Sequence, residues 1–158
     1  MISDERLTVY LHSLDAGNGA FCDAMEREAR ASGIPIIRKE TAALLKTMVT
    51  LKRPERILEV GTAIGYSALL MAGVMPETAH ITNIEKYEKR IPAAKENFRR
   101  AGMEKTITLL EGDAGEILAG LSGSFDLIFM DAAKGQYIRW LPDLLRLLAP
   151  GGLLMSDN

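Results

Sequence analysis

Cysteine is nearly absent from this chain: Cys22 stands alone among 158 residues. An intramolecular disulfide framework is excluded, and a reducing, cytoplasmic setting is expected. Histidine is nearly as scarce. His12 and His80 read as structural or exposed rather than catalytic. No apolar run approaches the roughly 20 residues that span a bilayer, so no membrane partner is expected. The opening MISDERLTVYLHSL places acids early and holds no long apolar stretch, unlike a secretory signal. Charge of one sign is lacking too: a formal net charge of −2 gives no bulk case for a nucleic-acid or membrane surface. Repeats, linkers and low-complexity tracts are not seen.

What is present is an ordinary globular composition at one domain's length, enough for one sizeable core. Residues 1–53 read as a helical preface. Leu7, Tyr10, Leu11 and Leu14 fall on one helix face; Phe21 to Ala31 forms a second helix; Lys39 to Leu51 a third, with Leu44, Leu45, Met48 and Val49 inward. From 54 to 158 the grammar changes. Apolar runs at 56–61, 80–85, 106–112, 125–131 and 152–157 alternate with helical segments beginning near Tyr66, Lys86, Ala114 and Lys134. Such runs read as parallel strands buried on both faces. The expectation is a single α/β domain over 1–158: a doubly wound, Rossmann-like parallel sheet with helices prepended. Because the sequence stops directly after a strand, C-terminal strands are expected to be missing.

Each expected strand carries an acid to its carboxyl edge, where open α/β sheets bind ligands: Glu59, Glu85, Asp113, Asp131 and Asp157. One such acid is an ordinary helix cap. Five together form a rim that attracts cations and hydroxyl groups and repels phosphate. The loop Gly61-Thr62-Ala63-Ile64-Gly65 supports that reading. It is neither G-x-G-x-x-G nor a phosphate loop, and it offers no lysine. Glu85 follows Gly61 at about the ~20-residue spacing at which an acid holds ribose hydroxyls. A nucleoside cofactor without pyrophosphate and with positive charge fits; S-adenosylmethionine (SAM) is such a molecule. The alternative is a plain strand-to-helix turn.

A second constellation is Asp131 to Tyr137 with Asp157-Asn158. If the last two strands are neighbours, Asp131, Asp157 and Asn158 converge as hard oxygen ligands for Mg²⁺, with Mn²⁺ or Ca²⁺ also suited. The alternative is a helix cap and a polar loop. Lys134 is the cation among these acids, a surface lysine or a general base.

The segments ILEVGTAIGYSALLMA, NIEKYEKR, EGDA, FMDAAKGQY and MSDN, in that order, resemble the class I SAM-dependent O-methyltransferases over roughly residues 34–158. More narrowly they resemble the metal-dependent catechol and caffeoyl-CoA type. DAAKGQY followed by a DN pair looks closest to the bacterial branch that methylates 5-hydroxyuridine at the tRNA wobble position. The resemblance implies that Glu59, Gly61, Tyr66 and Ser67 surround the methionine part of the cofactor. It implies Glu85 on the ribose, Asp113 and Ala114 beside the adenine, and Ile37 as a cover. Asp131, Asp157 and Asn158 would hold the metal. Lys134 would act as general base, and Asp131, counted with it in the catalytic centre, would also lie close to the cofactor. A homodimer is implied, as is a substrate that is tRNA or a small hydroxylated aromatic. Candidate phosphate contacts are Arg38, Lys39, Lys52, Arg53, Arg56 and Arg139, against the alternative of solvated helix faces. Family members continue past the DN pair with a further helix and two strands that this sequence does not contain. The competing readings are a methyltransferase of small phenols, an NAD-type dehydrogenase and an inactive cofactor-binding module.

Overall fold

A computed structural model describes residues 4–157. Three helices come first: α1 (Glu5–Ser13), α2 (Ala20–Ala31) and α3 (Lys39–Lys52). Strands and helices then alternate as β1 (Arg56–Val60), α4 (Tyr66–Ala72), β2 (His80–Glu85), α5 (Ile91–Arg100), β3 (Ile107–Glu111), α6 (Ala114–Gly120), β4 (Phe125–Met130), a 3₁₀ turn (Lys134–Gln136), α7 (Tyr137–Leu147) and β5 (Leu148–Ser156). All pairings are parallel, in the order β3-β2-β1-β4-β5. The doubly wound expectation holds, and the order reverses beside β1, where such sheets bind ligands.

Strand side chains alternate between two apolar layers. Ile57, Ile81, Leu127 and Phe129 pack with Leu45, Val49 and Met71. Leu58, Val60, Ile84, Ile128 and Met130 pack with Leu118, Leu144 and Leu147 on the other side. Burial on both faces is why these strands read as near-continuous apolar runs. Trp140 is buried in the second layer, where it packs against the sheet.

Four details differ from the sequence reading. The periodic face of α1 is not inward: Leu7, Tyr10, Leu11 and Leu14 are exposed, and α1 buries no residue. In α3 the inward set is Ala42, Leu45 and Val49, while Leu44 is exposed. The helix expected from Lys86 begins at Ile91 with Pro92 in its first turn, where the backbone N–H that proline lacks would have no intrahelical partner anyway. β5 begins at Leu148, four residues before the expected start, because Leu148 pairs with Phe125 ahead of an irregularity in the ladder.

Ion pairs and hydrogen bonds tie the preface together. Lys39 meets Asp15 at 2.6 Å, which holds the Asp15 carboxyl below its usual range. His12 meets Glu40 at 2.8 Å. Among the described residues no helix is long and apolar enough to cross a membrane.

Candidate active site

Parallel strands end together, and the loops leaving β1, β2 and β4 are stitched side by side. The Gly61 N–H donates to Ile84 O at 3.0 Å, and the Asp131 N–H to Val60 O at 2.9 Å. The Asp157 N–H donates to Met130 O at 2.9 Å, closing the row at β5. Glu85, Asp131 and Asp157 therefore stand on one edge. Between the loops lies a cavity of about 300 Å³ whose walls include Ile37, Gly61, Ser67, Glu85, Asp131 and Trp140.

Gly61 has φ +94°, and a Cβ there would lie 2.0 Å from the Asp131 carbonyl oxygen. Only glycine lets the first loop pass this close to the fourth. Ala63 also adopts a left-handed φ of 48°, which an L-residue enters at a cost of roughly 1–2 kcal/mol. Glu85 fastens the loop in this conformation. Its Oε2 accepts the N–H groups of Thr62 (3.2 Å) and Ala63 (2.7 Å), and its Oε1 those of Lys86 (2.9 Å) and Tyr87 (2.8 Å). The expected ribose ligand is thus also the clamp of the glycine loop.

Of the sequence-derived cofactor residues, Ile37, Gly61, Tyr66, Ser67, Glu85, Ala114 and Asp131 line the cavity. Glu59 and Asp113 do not. Glu59 is fully buried behind the cavity floor, across the ladder from equally buried Asn83; none of their side-chain polar atoms has a hydrogen-bond partner. Burial pushes the Glu59 carboxyl up to about 8, the charges of Asp131 and Glu85 add to this, and the nearby Ser67 hydroxyl opposes it. Asp113 caps α6, accepting the Gly115 N–H at 2.9 Å, and that bond is the main reason its carboxyl is held low.

Asp131 is half-buried. Burial and then the facing charge of Asp157 raise its pKa, while Lys134 offsets them. Two acidic side chains brought to one edge, one of them half-buried, are hard oxygen donors that fit a divalent cation. Asn158, the expected third ligand, lies outside the described residues. Thr41 on α3 donates its hydroxyl to Asp157 Oδ1 at 3.4 Å. Lys134 opens the 3₁₀ turn, exposed to solvent.

Sequence reasoning missed three contributors. Lys86 and Arg90 line the cavity as cations; both stand in the quoted NIEKYEKR segment but fall in the stretch read as helix. Tyr137 is the third. Its hydroxyl accepts the Ala132 N–H at 3.1 Å and lies 3.2 Å from Asp157 O, bridging the ends of β4 and β5. Several candidate phosphate contacts have other work. Lys39 holds Asp15, Lys52 donates to Gly151 O at 2.9 Å, and the Arg56 guanidinium stacks 5.1 Å from the Phe125 ring.

Comparison with known proteins decides the family. The family model described as O-methyltransferase matches residues 25–158. The chain belongs to the O-methyltransferase family. A catechol O-methyltransferase of Niastella koreensis is 34% identical over 80% of this chain and 60% of its own length. A caffeoyl-CoA O-methyltransferase of Stellaria longipes is 31% identical over 73% of this chain and 50% of its own. The chain therefore spans roughly half to three fifths of these relatives. Among solved structures, the S-adenosylhomocysteine (SAH)-bound methyltransferase PaMTH1 of Podospora anserina superposes with TM-score 0.90 at 29% identity, covering 97% of this chain and 68% of that one. TomG of Streptomyces achromogenes, in complex with SAM, gives 0.87 at 27% identity, covering 100% and 75%. The dehydrogenase reading has no support among these family members.

Proposed function

We propose that this chain carries the donor site and the acidic centre of a SAM-dependent O-methyltransferase of the catechol and caffeoyl-CoA type, acting on an acceptor with two adjacent oxygens. The observation that carries this reading is the meeting of Asp131 and Asp157 at the rim of a cavity clamped by Glu85. When bound there, SAM supplies the methyl group. A divalent cation held by Asp131 and Asp157, with Asn158 as the expected third ligand, would acidify the acceptor hydroxyl.

The chain's own residues do the rest. Glu85, fixed by four backbone donors, faces the ribose. Ala114 flanks the adenine and Asp113 stands at its edge. Tyr66 and Ser67 border the methionine end, with Glu59 behind them. Ile36, Ile37 and Trp140 exclude water. Lys134 is the residue that takes up the acceptor's proton, at Nζ. Holding donor and acceptor in line supplies about 7–11 kcal/mol of such a barrier, so little further chemistry is asked of the protein.

A small catechol or phenolic acceptor is the first choice, in keeping with the named activities of the curated relatives. The second is 5-hydroxyuridine at the tRNA wobble position, which the DAAKGQY and DN segments favour; its ring also offers adjacent oxygens. Soluble phenols call for no further surface, whereas tRNA calls for the basic residues already named. The test pairs SAH calorimetry with methyl transfer to catechol and to hydroxyuridine-bearing tRNA, with and without EDTA. SAH binding that survives EDTA and transfer that does not is the expected pattern. Full transfer in chelator overturns the cation assignment, and absence of SAH binding overturns the reading. A steep salt dependence of acceptor binding selects tRNA. Homodimer assembly, which the family resemblance implies, is checked by sedimentation of the same samples.

A further inference from the structure

Tyr66 has two surroundings at once. It lines the donor cavity, and its hydroxyl enters a polar network in the helical preface. That hydroxyl donates to Glu26 Oε2 at 3.3 Å and accepts from Asn18 Nδ2 at 3.3 Å. Glu26 is only 6% exposed, and its other oxygen accepts from Arg30 Nε at 2.9 Å. Asn18 is anchored in turn by its N–H to Asp23 Oδ1 at 2.8 Å and by Lys46 of α3. A buried carboxylate is retained at a position where it has charge-assisted partners. Burial and the Glu26 charge hold the Tyr66 phenol above its usual range, so its hydrogen is always there to give.

The placement of this network is informative. Tyr66 is the first residue of α4, and the N-cap before it, Gly65, offers no side chain to fix the helix entry. Glu26 sits on α2, and five residues past the end of α2 the chain reaches Ile36 and Ile37, which line the cavity as Tyr66 does. The Glu26–Tyr66 bond therefore ties together the segments that carry these lining residues.

We propose that Glu26 is a positioning residue for methyl-donor binding: through the Tyr66 hydroxyl it locks α2 and the Ile36–Ile37 wall against α4 and so sets the width of the donor cavity. The inference rests on the donor reading above, and the experiment separates the two. SAH affinity is measured for the parent chain, Glu26→Leu, Glu26→Gln, Tyr66→Phe and the Glu26→Leu/Tyr66→Phe double variant. Hydrogen exchange of residues 61–67 is followed in the same proteins without ligand.

Glu26→Leu and Tyr66→Phe should each weaken SAH binding about tenfold, the size of one hydrogen bond to a charged group. The double variant should be no weaker than either single one, because both remove the same link. Glu26→Gln keeps an oxygen for the phenol hydrogen and should bind within about threefold of the parent. Exchange of residues 61–67 should accelerate in Glu26→Leu and not in Glu26→Gln. A merely structural Glu26 would lower the thermal midpoint, give additive losses and show no rescue by Gln; that result overturns the proposal. If the parent binds no SAH, the donor reading falls, and the exchange rates alone then decide the positioning role.

Discussion

Replacing Glu59 with Gln tests the electrostatics of the cavity floor most directly. The side chain is 0% exposed and has no hydrogen-bond partner. In the folded chain its carboxyl is pushed up to about 8 from an ordinary 4.5. Between those values the folded state keeps a proton that the unfolded state has released, so the folded state binds more protons and stability falls as pH rises through the window. With about 1.4 kcal/mol per pH unit, the parent should lose about 3 kcal/mol between pH 4.5 and 7, and about 1 more by pH 9. A glutamine of the same shape does not titrate and should not share this loss. Urea unfolding of both proteins at a series of pH values reads the difference between their free energies. It should widen with pH, in favour of the Gln variant, by that amount. Curves that stay parallel from pH 4.5 to 9 would refute the claim that Glu59 is held neutral by burial.

Three further outcomes are expected. Lys134→Ala should lower turnover about 10²–10⁴-fold, the usual worth of a positioned proton acceptor, while SAH affinity stays within about twofold; equal loss of both removes Lys134 from that role. Gly61→Ala drives a Cβ onto the Asp131 carbonyl in a left-handed backbone, so chemical denaturation should show at least about 2 kcal/mol of destabilisation, with SAH binding weakened alongside. Tyr137→Phe removes the hydroxyl that bridges Ala132 and Asp157. It should reduce methyl transfer more than tenfold with SAH affinity nearly unchanged, which steady-state kinetics and calorimetry together can check.

The centre of the sheet was legible because its strands are buried on both faces: in RILEV only Arg56, and in FDLIFM only Asp126, is not buried. The acids were legible because a strand end is a fixed address in an α/β fold. Other features were not. The α1 stripe has a good helical period, yet α1 buries none of its residues, and periodicity does not say whether a partner surface exists. Ala149-Pro150-Gly151-Gly152 carries every mark of a turn, but pairing of Leu148 with Phe125 draws it into β5. The burial of Glu59 against Asn83 depends on register across β1 and β2, and the role of Tyr137 on where β5 ends. Both are properties of neighbours distant in sequence.

One phenol oxygen, on Tyr137, spans the loop beyond β4 and the tip of β5. Because the two acid-bearing segments share that brace, neither can drift without dragging the other. Divergence toward new acceptors would then proceed by recarving the surrounding walls, with the spacing of the paired acids left as an inherited constant.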